Sequence, residues 1–157
     1  MVAEGLMGEI LFYHLSEHRL ERALPVLVER SLARGWRVVV QAGEGTDLAV
    51  LSRALWTFRP DSFVAHGWGE EWRERAAEQP VWLTDGDDTP NGATVRFFVE
   101  GAEPGDLSAL KRAVFMFDGH DEAALARARR QWAALRGEGG KLAYWKQNDA
   151  GGWERGV

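Results

Sequence analysis

The 157-residue chain has no cysteine, which removes disulfides, thiolate metal sites and thiol nucleophiles together and suits a reducing, cytoplasmic setting. It also lacks any run near the roughly 20 apolar residues of a membrane span. The opening MVAEGLMGEI has no basic segment followed by a long apolar stretch, so the expectation is a protein neither embedded nor exported by that route. Positive charge is not in surplus: 19 Lys and Arg stand against 24 Asp and Glu, for a net charge of −5. That balance argues against a surface that tracks phosphates along nucleic acid, and any basic site must be local. Catalytic signatures are missing as well. There is no GxxxxGK[ST], no GxSxG, and no spacing that signals a Ser, His and Asp set.

What is present is a core-forming composition, 45% hydrophobic, in a chain long enough to bury roughly 70% of its unfolded surface. One domain over 1–157 is expected, with 1–8 and 148–157 as loosely ordered ends. EILFYHL (9–15) suits a buried strand. ERALPVLVERSLARG (21–35) then places apolar residues at 24, 27, 28 and 32, a helical spacing stopped by Gly35, with Pro25 in the first turn. WRVVVQA (36–42) is a β-branched strand, and GEGTDLAVLSRALW a turn with Thr46 as N-cap before a helix that turns Leu48, Leu51 and Leu55 inward. Further strands are expected at 62–66, 80–84, 94–99 and 112–117, then a helix over 120–136 and a strand over 141–147. Such alternation predicts a three-layer α/β/α fold: a mostly parallel sheet, Rossmann-like but without a functional phosphate loop. Antiparallel pairing is expected where strands follow one another late in the chain.

Three stretches resemble chemical sites and are better explained otherwise. In GEGTDL, Gly43 and Gly45 precede a helix, but the third glycine position is Leu48, and Glu44 and Asp47 would repel the anion the amides attract. His14 and His18 lack a third ligand of clear geometry and read as solvated histidines. DGDD (85–88) has its glycine second and no closing glutamate, so turn chemistry accounts for it better than calcium. No metal or cofactor is expected.

The densest aromatic segment is LWTFRPDSFVAHGWG (55–69), with Trp56, Phe58, Phe63 and Trp68 around Pro60. Any one of them is most often core. Four around one short connection exceed what it should bury, and large aromatics exposed together act as binding anchors.

LWTFRPDSFVAH, with GWRVVVQA before it, ILFYHL near the start and ARARRQWAALR late, resembles the chi subunit of bacterial DNA polymerase III over about residues 8–146. The resemblance implies a Rossmann-like fold with no catalytic activity of its own. It implies a link between the clamp-loader complex, through its psi subunit, and the C-terminal tail of single-stranded-DNA-binding protein, an accessory helicase being able to take the psi position. By the same resemblance, Trp56 and Phe63 receive psi or the helicase, with Pro60 and Val64 shaping the turn, and Arg129 and Trp132 receive the tail. Helical spacing adds that Arg129, Trp132, Ala133 and Arg136 share one face, where a guanidinium can grip a terminal carboxylate.

Two departures thin the basic character of that second site: Ala133 stands where the family usually has lysine, and Leu125 lies one turn before Arg129. Arg127, Arg130 and Arg136 are candidate replacements, although Leu125, Ala128, Trp132 and Leu135 also form an inward stripe and late basic residues suit the helix dipole. Two rival readings stand beside the adaptor: a degenerate nucleotide-binding enzyme at GEGT, and a direct nucleic-acid binder.

Overall fold

The computed structural model describes residues 8–61 and 64–156. In chain order the elements are β1 (Glu9–Leu15), α1 (Leu20–Ala33), β2 (Val38–Ala42), α2 (Leu48–Thr57), β3 (Gly67–Trp68), a 3-10 helix (Glu70–Glu78), β4 (Val81–Thr84), β5 (Val95–Val99), β6 (Arg112–Asp118), α3 (Glu122–Gly137), β7 (Lys141–Gln147) and β8 (Trp153–Arg155). Eight strands form one sheet in the order β3-β4-β2-β5-β6-β1-β7-β8. Every pairing is parallel except β7 with β8. The expected three-layer α/β architecture is present.

Strand alternation divides the core in two. Leu11 and Leu15 of β1, Val38 and Val40 of β2, and Phe97 of β5 pack with Leu24, Val28, Leu51 and Leu55 of α1 and α2 on one face. Ile10, Phe12, Phe98 and Phe115 pack with Ala128 and Leu135 of α3 on the other. Phe12 and Phe98 each stack on Phe115 at 4.6 Å between centroids, which builds a three-ring column across β1, β6 and β5. All five residues of β2 are buried, as a central parallel strand covered on both faces requires.

The helix ends explain several small shifts from the sequence reading. α1 starts at Leu20, so Pro25 lies beyond the first turn, inside the helix. The N-cap of α2 is Asp47, whose Oδ1 accepts from the Ala49 amide at 3.0 Å. Thr46 instead donates its hydroxyl to the Gly43 carbonyl at 2.6 Å. A carboxylate reaches the first-turn amides and also complements the dipole, so aspartate takes the cap.

Larger corrections concern strand pairing. β5 and β6 follow one another yet run parallel, because the connection between them returns across the α3 face, burying Ala102 and Leu107 in that core where a helix would otherwise lie. β2 sits between β4 and β5, so those two do not pair either. No strand covers Val64–His66; β3 is the pair Gly67–Trp68, and Ser62 and Phe63 lie outside the described residues. Trp153–Arg155, expected in a loose tail, forms β8 against Trp145–Gln147, with the Trp153 ring edge-on to Tyr13 at 4.9 Å. The expectation for residues 1–8 falls, except for Gly8, outside the described residues.

Between the α3 core and the 3-10 helix, Arg96 closes the second face. It is 6% exposed and donates to Gln41 Oε1 at 2.8 Å, the Thr89 hydroxyl at 2.9 Å, and the carbonyls of Gly86 and Asp88 at 3.0 and 3.2 Å. A buried guanidinium so fully bonded pins the 85–91 connection to the sheet. The DGDD stretch is thereby a structural turn.

Candidate functional site: two aromatic surfaces

The first surface is built where α2 ends. Trp56 and Thr57 are exposed in its last turn, and Arg59, Pro60 and Asp61 are exposed beyond it. Trp56 is 54% exposed, although the helix that carries it is anchored by fully enclosed Leu51 and Leu55. Pro60 stands three residues past Thr57, where it has no amide hydrogen to donate to a continuing helix. The chain then returns through Val64, whose amide donates to the Leu55 carbonyl at 2.9 Å. Val64 itself is 3% exposed, so it fixes the turn from beneath.

His66 locks this return. A carbonyl can only accept, so the 2.7 Å contact with the Val64 oxygen puts a proton on Nδ1, and Nε2 accepts the Ser52 hydroxyl at 2.7 Å. Its ring meets Trp56 edge-on at 5.9 Å. Arg59 forms an ion pair with Glu29 of α1 and lies over the Phe58 ring at 4.6 Å, tying the turn to the neighbouring helix.

Burial pushes the His66 pKa below its ordinary value of about 6.5. The neutral ring therefore belongs to the folded state. Its contribution is complete above about pH 6.5 and declines as the pH falls through the lowered folded value. Thermal unfolding followed from pH 8 to 5 should show this decline. It should shrink in His66→Gln without vanishing, because His14 is shifted the same way by burial, Lys146 and His120. An unchanged decline in His66→Gln would exclude the role.

The second surface lies on α3 and the strands beneath it. Trp132 is half-buried, edge-on to Phe12 at 5.3 Å and to Tyr144 at 5.8 Å. Tyr144 shares a 2.6 Å hydrogen bond with His14 Nδ1, and His14 lies 5.2 Å from the Phe117 ring. His14 is thus half-buried among aromatics, which corrects its reading as a solvated histidine; His18 is tied by its Nδ1 to Gln147 at 3.1 Å. Burial raises the Tyr144 pKa against the opposing charge of Arg129. Arg129, Ala133 and Arg136 are exposed, and the charge of Arg129 acts on both His14 and Tyr144 of this cluster.

The sequence reading of α3 changes in two details. The fully buried stripe is Ala128, Gln131 and Leu135, with Leu125 and Trp132 only partly covered. Gln131 is buried because its amide donates to the Ala102 carbonyl and to Glu103, at 3.2 and 3.0 Å. Glu103 also pairs with Arg130 at 2.7 Å, which holds Arg130 over the 100–111 connection. The periodicity of α3 does not disclose His14, Phe117, Tyr144 or the exposed Lys146. The signal lay in their strands: β1 pairs with both β6 and β7, with His14 opposite Phe117 and Lys146.

The glycine turn after β2 is engaged by the chain itself. The Gly45 amide donates to Asp85 Oδ2 at 3.1 Å, so the group that would face an anion already holds a carboxylate of the chain. A Cβ on Gly43 would meet the Glu100 carbonyl at 2.3 Å, which makes this glycine a packing requirement. Among the described residues no group of His, Asp and Glu is arranged to hold a metal, and no helix is long and apolar enough to cross a membrane.

Fold and sites together define a Rossmann-like α/β domain with Trp56 exposed at the end of α2, while Phe58 and Trp68, expected to be exposed with it, pack against the core, and with a half-buried aromatic cluster beneath α3. The family model for the DNA polymerase III chi subunit, HolC, matches residues 7–143, and the chain belongs to that family. A relative in Rickettsia prowazekii (strain Madrid E), described as a probable DNA polymerase III subunit chi, is 23% identical over 111 residues. The match covers 71% of this chain and 66% of the relative, just under two thirds of its length.

Proposed function

We propose that this chain is a replisome adaptor, joining the psi subunit of the clamp loader, or an accessory helicase, to the C-terminal tail of single-stranded-DNA-binding protein. The observation that carries the reading is the exposure of Trp56 on an otherwise well-anchored helix, within a chain of the chi family. An aromatic held outward on a rigid support is pre-organised to enter a partner's pocket. Trp56, with Pro60 and Val64 shaping the turn beside it, forms the psi-type surface, and Phe63 is assigned to it by family resemblance alone.

The tail site is Arg129, Trp132, Ala133 and Arg136. Arg129 pairs with the terminal carboxylate, and the last hydrophobic side chain packs on Trp132 beside Tyr144. Lys146, whose charge acts on His14 of the same cluster, supplies from β7 the cation that Ala133 does not provide on α3. Arg136 attracts the acidic residues that precede the tail's end, whereas Arg130 must first leave Glu103 to do so.

Titrating a labelled tail peptide into the full chain tests this site. Micromolar or weaker binding is expected, about −8 kcal/mol or less in magnitude, and it should weaken as salt is raised. Arg129→Ala should cost about tenfold in Kd, and amidation of the peptide's terminus a similar factor. Unchanged binding by Arg129→Ala, or indifference to the terminal carboxylate, would remove α3 as the tail site. The reading also expects no nucleotide turnover by the isolated chain; turnover that survives purification and depends on Gly43 to Thr46 would overturn it.

A further inference from the structure

A crevice of about 750 Å³ opens at the carboxyl ends of β1, β5 and β6, between the first turns of α1 and α3. Its volume is that of a small-molecule site, ~300–1,000 Å³. It lies where the chain path divides: β1 continues through α1 to β2 on one side, and β6 through α3 to β7 on the other. Open α/β sheets bind ligands at such a point. Here an anion finds no free donors. The amides of Ser16, Glu17 and His18, which lead into α1, all donate to Gln147 Oε1, at 3.2, 2.9 and 2.9 Å. Those of Ala123 and Ala124 in α3 donate to Asp121 Oδ1, at 2.9 and 3.2 Å. Both helix starts, where a phosphate would bind, are satisfied by oxygens of the chain.

Negative charge stands uncompensated instead. The lining carries five carboxylates, Glu17, Glu21, Glu100, Asp118 and Asp121, against the guanidiniums of Arg19 and Arg127. No ion pair joins any of these groups among the described residues. Arg127 lies on Gly101, where a Cβ would meet its guanidinium at 3.3 Å. The two lining histidines are engaged elsewhere: His18 Nδ1 with Gln147 at 3.1 Å, and His120 Nε2 with the Ser16 carbonyl at 2.7 Å. Glu100 occupies left-handed backbone, φ 50°, pinned by the Ala102 amide on the Val99 carbonyl and by the Gly43 amide on its own. Burial raises its pKa, and so do the charges of Glu21 and Asp118. Three carboxylates from three elements thus face one field. Among the described residues no three His, Asp or Glu are arranged to hold a metal ion, so a compact cation cannot answer this charge, whereas an extended one can.

From this geometry we propose that the crevice between α1 and α3 binds an elongated aliphatic polycation, with ammonium groups spaced along an alkyl chain. The ammonium groups meet Glu21, Glu100 and Asp118. The methylenes between them lie along Phe117 and Ala124, both only partly covered on the crevice wall.

The test follows the assigned amide signals of Gly101 and Gly119 in NMR spectra of the full chain. Spermidine, acetyl-trilysine amide, butylamine and magnesium chloride are titrated separately at matched ionic strength. Spermidine or the peptide should shift both signals saturably, and the tighter of the two identifies a free polyamine or a basic peptide segment as the source of the ligand. Butylamine, with a single charge, should bind about tenfold more weakly. Glu100→Gln should weaken the polycation about tenfold, and Glu21→Gln, at an exposed position, about threefold. Glu74→Gln, exposed on the 3-10 helix, should bind as wild type does. Circular dichroism checks each variant; if Glu100→Gln does not fold, Glu21→Gln decides. Absence of a saturable shift with both polycations overturns the proposal, as does wild-type binding by the folded glutamine variants of Glu100 and Glu21. Magnesium or butylamine acting as tightly as spermidine, or an equal loss in Glu74→Gln, would reduce the effect to general charge attraction and overturn it too.

Discussion

Trp82→Ala is expected to lower folding stability by about 3–5 kcal/mol, the range for removing a large aromatic from a packed core. Trp82 is the largest of the side chains with essentially no exposure. It packs with Val39, Ala76 and Ala93 under the 3-10 helix, where small neighbours cannot expand to fill the void. Its indole N–H also donates to Asp88 Oδ2 at 3.1 Å, and Arg73 lies over its ring at 5.3 Å. Burial raises the Asp88 pKa, but bonds from Thr84, Arg73 and Trp82 outweigh it and leave the carboxyl below its ordinary range. Losing the indole therefore opens a cavity and weakens the anchor of the 85–91 turn. Urea unfolding of Trp82→Ala and Trp82→Phe distinguishes the two effects: phenylalanine keeps most of the volume and should fall between alanine and wild type. A loss below about 1 kcal/mol in Trp82→Ala would show that this end of the sheet is not part of the cooperative core.

Trp56→Ala should behave in the opposite way. Stability should fall by only about 1 kcal/mol, the scale of the ring contact with His66, while affinity for the psi-type partner falls by about 2 kcal/mol or more, roughly thirtyfold. The asymmetry follows from burial: Trp82 is 0% exposed and Trp56 54%, so truncating the second removes a ring of which more than half is already in water. Calorimetric titration of the partner, with circular dichroism as the check on folding, measures both quantities. If Trp56→Ala unfolds, the ring is structural despite its exposure; if it folds and binds as wild type, the partner docks elsewhere. The edge-on contact of Trp56 with His66 makes the same surface sensitive to acid, because protonating His66 alters the ring against which Trp56 is held.

Much of this molecule was legible because it is local. Hydrophobic alternation in EILFYHL and VVVQA, the i, i+3, i+4 spacing of Leu24, Leu27 and Val28, and the stop at Gly35 depend on neighbours within one or two turns. The missing phosphate-loop lysine, the absent cysteines and the aromatic density around Pro60 are likewise plain in the chain itself. Parallel pairing of β5 with β6 was hidden, because periodicity reports which face a residue occupies and not which strand lies beside it. The N-cap of α2 was displaced by one residue for a similar reason: two adjacent residues can both cap, and the geometry of the turn chose Asp47 over Thr46.

By itself, then, the sequence determined the α/β alternation and the inward faces of α1 and α2, through short-range periodicity and residue type. Only the tertiary structure decided which distant residues meet. It set Asp85 on the Gly45 amide, Trp153 on Tyr13, and His14, Phe117 and Tyr144 together beneath Trp132. It also turned Trp56 outward while enclosing Trp82. The physical reason is that strand order and crossover path bring together groups far apart in the chain, 40 residues for Gly45 and Asp85 and 130 for His14 and Tyr144, and side-chain burial is a property of that assembled packing, which no local pattern encodes.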